Sequence, residues 1–346
     1  MKLRRDTRRP AGTPSTIVDV ALAADVSIAT VSRVIHGHTV GAERKQRVLS
    51  AMEALDYRPN TSAQAMRTRS TQTIACAIRG VLMPEMAPFI REAEATLRRA
   101  GYTLLLANIE DKVEQQEEML RFLTGRGIDG LIFTATPDEN GRLLDAVRAI
   151  GSPTILIDRD GLEAADTVVV DHYSGLTNAT EYLLSLGHTR IALLTISASI
   201  RPGRERIRAF RAACERAGVG STALVDDRNL DTTACYHRTS ALLSSRHPPT
   251  ALIAGGMALL PGILHAVASR GLRIGTDISL VAGCDSELAQ LMTPGISAVR
   301  WDRAEWGRIA ATRLLERLET PCLERADIVV PTEFLVRRSC SQPTSG

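Results

Sequence analysis

Between Thr16 and Ile35 the side chains are of the kinds, and stand at the intervals, that suit contact with nucleic acid. Thr16 precedes Asp19 by three residues, the spacing at which a hydroxyl caps a helix and a carboxylate reaches back to the cap. Ser27 stands where it can cap a second helix that turns Val31, Val34 and Ile35 inward. Between the two, Ala23, Ala24 and Val26 are small enough for the helices to cross closely around a tight turn. Two short capped helices so joined, behind a basic arm, make a helix-turn-helix, whose second helix lies in the major groove of DNA.

Bond-making chemistry is not spelled out in the same way. Gly125-Arg126-Gly127-Ile128-Asp129-Gly130 fits GxGxxG as a string, but it precedes a strand and opens no helix, so the phosphate-cradling turn is missing. Gly-Lys, GxSxG and HExxH are all absent. The seven histidines are scattered, and His188, at a helix end before a strand, suits capping or packing better than catalysis. Cys76, Cys214, Cys235, Cys284, Cys322 and Cys340 show no metal-ligand spacing and read as reduced structural thiols. No catalytic group, metal or cofactor is expected.

Periodicity sets the scaffold around the head. A third helix is expected from about Ala42 to Leu55, because Val48, Met52 and Leu55 recur at helical spacing while Glu43, Arg44, Lys45 and Arg47 stay polar. Pro59 ends one element and Asn60 can cap a brief new helix, short enough to form only against DNA and a partner chain. Beyond it, strands are expected at Thr73–Ile78, Thr103–Ala107, Gly130–Thr134, Thr154–Ile157, Thr167–Val170, Arg190–Thr195, Ala251–Ala254 and Ser279–Ala282, mostly continuous β-branched and aliphatic runs. Amphipathic helices lie between them, among them Pro88–Ala100, Val113–Gly125, Gly175–Leu186, Gly203–Ala217 and Ala258–Arg270. This alternation predicts doubly wound α/β lobes, which bind ligands at the carboxyl ends of their strands.

Charge divides the chain in the same place. Residues 1–69 hold 12 Lys/Arg against 6 Asp/Glu, whereas residues 70–346 hold 30 against 33, so the overall +3 conceals a basic head on a mildly acidic body. A basic head suits phosphate contact. Lys2, Arg4, Arg5, Arg8 and Arg9 serve equally well as a solubilising tail. The 346 residues, 44% of them hydrophobic, suffice for two lobes beyond a head of about 70 residues. No run is apolar enough to cross a bilayer and no signal peptide is read, so a cytoplasmic protein is expected.

The order Thr16-x-x-Asp19-Val20-Ala21, Val26-Ser27, Thr30-Val31-Ser32-Arg33-Val34, then Leu55-x-Tyr57-x-Pro59-Asn60 and Ala63, resembles the LacI/GalR family of bacterial transcriptional regulators. The resemblance extends over nearly all of residues 16–340. It implies that Ile28, Ala29 and Arg33 read bases, with Thr16, Ser27, Thr30, Ser32 and Asn60 nearer phosphates. Arg33 has the fork to meet guanine, and Ile28 and Ala29 offer apolar contact to thymine methyls. Met66 stands where the family has a leucine that wedges into the minor groove. An unbranched methionine can still serve as that wedge, or pack on its dimer partner.

The resemblance further implies two lobes like those of periplasmic sugar-binding proteins, closing on an effector. Arg206, in Arg206-Ile207-Arg208-Ala209-Phe210, and Asp285, in Val281-Ala282-Gly283-Cys284-Asp285, match family positions and together would clamp sugar hydroxyls. By position alone Arg79, Thr134, Asp158, Arg159 and Asp171 fall at strand ends facing the cleft, and Trp301, at a crossover, can stack on a sugar ring. Each of these six suits a surface or capping role equally well. Two departures bear on the pocket: Cys284 replaces an aromatic, and Ala254-Gly255-Gly256-Met257-Ala258 is one residue shorter than the family's loop and lacks its acidic residue.

The expected architecture is a small all-α helix-turn-helix head on an α/β two-lobed, periplasmic-binding-protein-like body. A basic disordered arm is expected at 1–15, the head at 16–58, a hinge helix and linker at 59–71, the body at 72–340 and a disordered tail at 341–346. Within the body, lobe 1 takes about 72–171 and 302–330 and lobe 2 about 172–301 and 331–340. The function so implied is a dimeric repressor of a catabolic operon that binds double-stranded operator DNA and answers to a sugar, sugar acid or sugar phosphate. A small-molecule binding protein without DNA regulation would lack the helix-turn-helix, and an enzyme would show a strand-end nucleophile, metal cluster or phosphate loop. No leucine heptad follows Pro331, so a coiled-coil tetramer is not expected.

Overall fold

The computed structural model describes residues 15–35, 38–58, 70–79, 81, 86–110, 112–137, 140–160, 165–228 and 231–343. It comprises two compact units, Met1–Thr71 and Gln72–Gly346.

Among the described residues the first unit contains three helices, α1 (Ile17–Ala23), α2 (Ile28–Ile35) and α3 (Ala42–Ala54). The Thr16–Asp19 capping box is formed: the Asp19 carboxylate accepts from the Thr16 N–H at 2.8 Å, and the Thr16 hydroxyl accepts from the Asp19 N–H at 3.4 Å. Ser27 Oγ accepts from the Thr30 N–H at 3.2 Å and opens α2. Asp25 makes the turn with φ 50°, a left-handed conformation that aspartate tolerates better than most residues. Val20, Ala21, Ala24, Val31, Val34, Val48 and Ala51 form the core, and Ser15 ties the chain entering it to the end of the last helix by donating to the Leu55 carbonyl. The remainder of the expected arm, and Pro59, Asn60, Ala63 and Met66 of the expected hinge, lie outside the described residues.

The second unit holds two six-stranded sheets. Its strands are β1 (Thr73–Ile78), β2 (Thr103–Asn108), β3 (Gly130–Phe133), β4 (Thr154–Ile157), β5 (Asp166–Val170), β6 (Ile191–Thr195), β7 (Leu224–Asp226), β8 (Ala251–Gly255), β9 (Ser279–Ala282), β10 (Ser297–Arg300), β11 (Asp327–Val330) and β12 (Glu333–Leu335). The first sheet runs β11-β5-β4-β3-β1-β2, all parallel; the second runs β12-β10-β9-β8-β6-β7, with only β12 antiparallel to its neighbour. Of the four strands beyond the eight expected, β7, β11 and β12 are sheet edges, where a short run with polar residues suffices because one side is open. The chain passes between sheets after β5, after β10 and after β11.

Helices α4 (Ala87–Arg99), α5 (Val113–Gly125), α6 (Arg142–Ile150), α7 (His172–Ser185), α8 (Arg201–Arg216), α9 (Thr232–Leu243), α10 (Leu260–Ser269), α11 (Glu287–Leu291) and α12 (Arg303–Glu319) cover the sheets. Four hydrophobic clusters lie on the two faces of the two sheets. Helix α12 approaches α4 closely at Gly307, where a Cβ would stand 2.2 Å from the Phe89 carbonyl oxygen.

The carboxyl end corrects one expectation. Ser339 is fully buried, its Oγ donating to the Leu280 carbonyl at 2.6 Å and accepting from the Ser297 N–H at 2.8 Å. His188 takes the Ser341 carbonyl and Ser279 Oγ on Nε2, both at 2.9 Å, and Thr250 Oγ1 on Nδ1 at 2.8 Å. Residues as far as Ser341 are therefore pinned to the second sheet. Buried polar groups, not a solvated tail, hold them there.

Candidate functional site

On the head, α2 buries Val31 and Val34 and leaves Ile28 (48% exposed), Ala29 and Arg33 on its open side, one helical turn apart. An apolar pair followed by a guanidinium fork gives this face both thymine-methyl and guanine chemistry. Thr16 and Ser27 are engaged as caps, and Thr30 Oγ1 lies 2.9 Å from Ser27 Oγ. Their helix ends still present backbone N–H groups, which suit phosphates. Thr30 and Ser32 are half-buried beside them.

In the body, a cavity of about 410 Å³ opens at the carboxyl ends of strands from both sheets. Arg79 follows β1, Thr134 follows β3, Asp158 and Arg159 follow β4, and Trp301 follows β10. Arg206 reaches the cavity from α8 and His172 from the first residue of α7. Of the effector residues expected from sequence, these six, Arg79, Thr134, Asp158, Arg159, Arg206 and Trp301, line one wall together. Asp171 does not; it caps α7, accepting from the Ser174 N–H at 3.0 Å.

Asp285 does not line the cavity either. It is buried and bound by Arg337 through Nη1–Oδ1 at 2.7 Å and Nη2–Oδ2 at 2.9 Å, with Gln290 Nε2 at 3.1 Å. The expected clamp between Arg206 and Asp285 is replaced by this internal pair. The residue that does meet Arg206 is His172, which the motifs did not single out. Arg206 Nη2 lies 3.1 Å from His172 Nδ1, and His172 Nε2 lies 2.7 Å from Asp158 Oδ2. A guanidinium has only donors, so Nδ1 accepts, Nε2 carries the proton, and that proton goes to Asp158. The imidazole is thus a neutral bridge between two buried charges.

Electrostatics agree with that assignment. Burial pushes His172 below its ordinary value, and Arg206 adds to this against the pull of Asp158. Burial raises the Asp158 carboxyl, but His172, Arg159 and Arg206 outweigh it and hold the group below the usual carboxylate range. Burial likewise lowers Arg206, opposed by Asp158, without removing its charge. Asp158 takes φ 53°, and its Oδ1 accepts from the Val170 N–H at 3.2 Å, so strain and hydrogen bonding together fix the carboxylate.

Trp301 stands edge-on to His172 with ring centroids 5.7 Å apart, and Arg303 covers it at 4.8 Å. Its buried Nε1 has no hydrogen-bond partner among the described residues, whereas Trp306 Nε1 donates to the Val168 carbonyl. Arg303 Nη2 also reaches Cys284 Sγ at 2.7 Å, so the place of the absent aromatic at 284 adjoins the Arg303–Trp301 pair. The shortened loop puts Gly256, Met257, Ala258 and Leu259 into the wall. Gly255 is obligatory there, since a Cβ would sit 2.6 Å from Thr195 Oγ1.

Among the described residues no group of three or more His, Cys, Asp or Glu could hold a metal ion, and no helix is long and apolar enough to cross a membrane. A DNA-reading head and a two-lobed body, with a cavity lined by charged, aromatic and aliphatic side chains between its sheets, define a regulator that carries its own binding domain for a small molecule. Comparison with known proteins agrees. Residues 16–60 match the family described as bacterial regulatory proteins, lacI family, and residues 180–340 match the periplasmic binding protein-like domain. The HTH-type transcriptional regulator DegA of Bacillus subtilis (strain 168) is 30% identical over 333 residues, 94% of this chain and 98% of that protein. The ribose operon repressor of Escherichia coli (strain K12) is 29% identical over 327 residues, 94% of this chain and 99% of that protein. Among solved structures, the lac repressor dimer bound to operator and the anti-inducer ONPF has a TM-score of 0.83 at 23% identity, covering 95% of this chain and 100% of that one. A LacI family transcriptional regulator from Enterococcus faecium with bound ribose has a TM-score of 0.70 at 25% identity, covering 78% and 99%. The chain belongs to the LacI family and is a DNA-binding transcriptional regulator.

Proposed function

We propose that this regulator is a cytoplasmic homodimeric repressor of a catabolic operon, released or recruited by a sugar or sugar acid bound between its lobes. The observation that carries the effector reading is the cavity wall, where Arg206, His172 and Asp158 form a buried chain at the carboxyl ends of the strands, beside Trp301. Doubly wound sheets bind ligands at that end. Ile28, Ala29 and Arg33 are proposed to read the operator. A two-fold operator calls for two heads, and the bodies supply the dimer. The relatives support repression: one of them is a ribose operon repressor. We infer binding rather than catalysis, because no nucleophile–base pair lines the cavity among the described residues.

The test is selection of DNA fragments by the full-length protein, followed by gel shifts with and without each ligand that raises its melting temperature, since a ligand of the native state stabilises by mass action. A ligand that changes operator affinity establishes the reading. A ligand that binds without changing it removes the regulatory role of the cavity.

A further inference from the structure

Among the described residues one arginine–carboxylate pair joins the two lobes. Asp160 stands in the turn that follows β4 of the first sheet, two residues beyond Asp158. Arg204 stands near the start of α8, whose Ile207, Phe210 and Cys214 are buried in a core cluster of the second sheet. Arg204 Nη2 lies 2.6 Å from Asp160 Oδ1 and 2.8 Å from Oδ2, and the two side chains are 41% and 58% exposed. Asp160 also lines a crevice of about 230 Å³ together with Ser199 and Ile200, which lead into α8. Arg159 lines both this crevice and the larger cavity. The pair therefore spans the lobes immediately beside the cavity.

A second link runs beside it, from Arg206, two residues further along α8, through His172 to Asp158. The two links differ in kind. The inner one is buried and its middle member is neutral, so dissolved ions screen it little. The outer one is an exposed pair of full charges, and the range of such an attraction falls from about 10 Å at 0.1 M salt to about 3 Å at 1 M. An exposed pair adds little to the stability of a fold. It counts for more at a hinge. The chain passes between the sheets at three places, and lobes so joined open and close as nearly rigid bodies. A pair present in only one of the two arrangements shifts their ratio by about 1.4- to 5-fold.

We propose that Asp160 and Arg204 form an ionic latch between the lobes, which biases the hinge toward closure over the cavity and weakens as salt rises. Its bearing on regulation rests on the reading of the cavity as the effector site: a ligand that binds the closed lobes then gains from every contact that favours closure. The latch itself requires no ligand.

The test uses the full-length protein and its only two tryptophans, Trp301 and Trp306, which line the cavity and are 6% and 4% exposed. Parting the lobes uncovers them, so the fraction of their fluorescence that acrylamide, an uncharged quencher, can reach reports the open arrangement. At 50 mM NaCl, Asp160→Asn and Arg204→Gln should each raise that fraction by about 1.4- to 5-fold. The double variant should go no further than either single one, and the exchange of Asp160→Arg with Arg204→Asp should return it toward the parent. Raising NaCl to 1 M should increase the fraction in the parent and leave Asp160→Asn unmoved. Single variants that match the parent, single effects that add in the double variant, or a salt response that persists in Asp160→Asn overturns the proposal. The neutral variants and the parent's salt series decide the matter even where the charge exchange fails to fold. The readout contains no effector, so its failure removes the latch and leaves the effector site standing. A latch seen by quenching, in a protein whose operator affinity no cavity ligand shifts, would remove the effector reading instead.

Discussion

Arg337 closes on Asp285 with two parallel hydrogen bonds, at 2.7 and 2.9 Å, and the carboxylate it holds is almost fully buried. Arg337 also donates to the Ile296 carbonyl at 2.6 Å, so the last segment of the chain is joined to β10 through one side chain. This relation makes Asp285 a structural residue of lobe 2.

Arg337→Met should accordingly be strongly destabilising, by about 3–5 kcal/mol, because it leaves a buried carboxylate with only the Gln290 amide for company. Urea unfolding of the parent and variant measures it. Cavity ligands should bind the folded Arg337→Met protein within about twofold of the parent; a large loss of ligand affinity with little loss of stability would return Asp285 to the cavity.

Arg33→Ala should remove sequence preference and leave weak, salt-sensitive DNA binding, since phosphate contacts persist when a base contact is lost. The expected loss of discrimination is about 1–3 kcal/mol for one bidentate contact. Gel shifts on operator and scrambled duplexes at several salt concentrations measure it, and unchanged discrimination removes Arg33 from the reading set.

The head and most of the central strands are legible in the sequence because they depend on near neighbours. Thr16 needs only Asp19 three residues on, and Ile74, Cys76 and Ile78 announce β1 by their own composition. The cavity is less legible. Arg79, Thr134, Asp158 and Arg159 are found from their places at the carboxyl ends of expected strands. His172 is not, because its role exists only once the fold brings Asp158 and Arg206 to its two nitrogens. Asp285 misleads for the complementary reason: its partner Arg337 lies in a stretch whose polar residues look solvated. Ser341 misleads likewise, since a serine whose backbone is pinned by buried side chains is spelled like one that faces water.

Ser339→Ala should destabilise the body by about 1–3 kcal/mol, because the Ser297 N–H loses its acceptor and the Leu280 carbonyl a donor in a site closed to water. Deleting the residues after Arg338 removes in addition the Ser341 contacts to His188 and Ser279 and should cost more. Urea midpoints of both variants check this. Parent-like stability of the truncated chain would show that the buried hydroxyl contributes nothing.

Acid should weaken the body through two histidines before it reaches the carboxylates. His172 is held below the ordinary imidazole value of 6.5, first by burial and then by Arg206, and His188 is lowered by its own burial against the Ser341 carbonyl. Above pH 6.5 both groups are neutral in native and unfolded chains alike, and their contribution to stability is fully present. As pH falls below 6.5 the unfolded chain takes up protons that the native protein refuses, so stability is lost, by at most about 1.4 kcal/mol per pH unit for each histidine. The carboxylates Asp158, Asp166 and Asp226, all held below the ordinary 3.8, add their losses only as pH falls below that value. His172→Gln separates the two histidines: a glutamine can accept from Arg206 and donate to Asp158 as the neutral imidazole does, but it cannot take a proton. Between pH 6.5 and 5 the variant should therefore lose stability less steeply than the parent, with the His188 contribution remaining. Urea unfolding free energies at half-unit intervals provide the slopes. A variant as steep as the parent would mean that His172 titrates in the native protein as it does in the unfolded chain, and the neutral bridge between Arg206 and Asp158 would have to be abandoned.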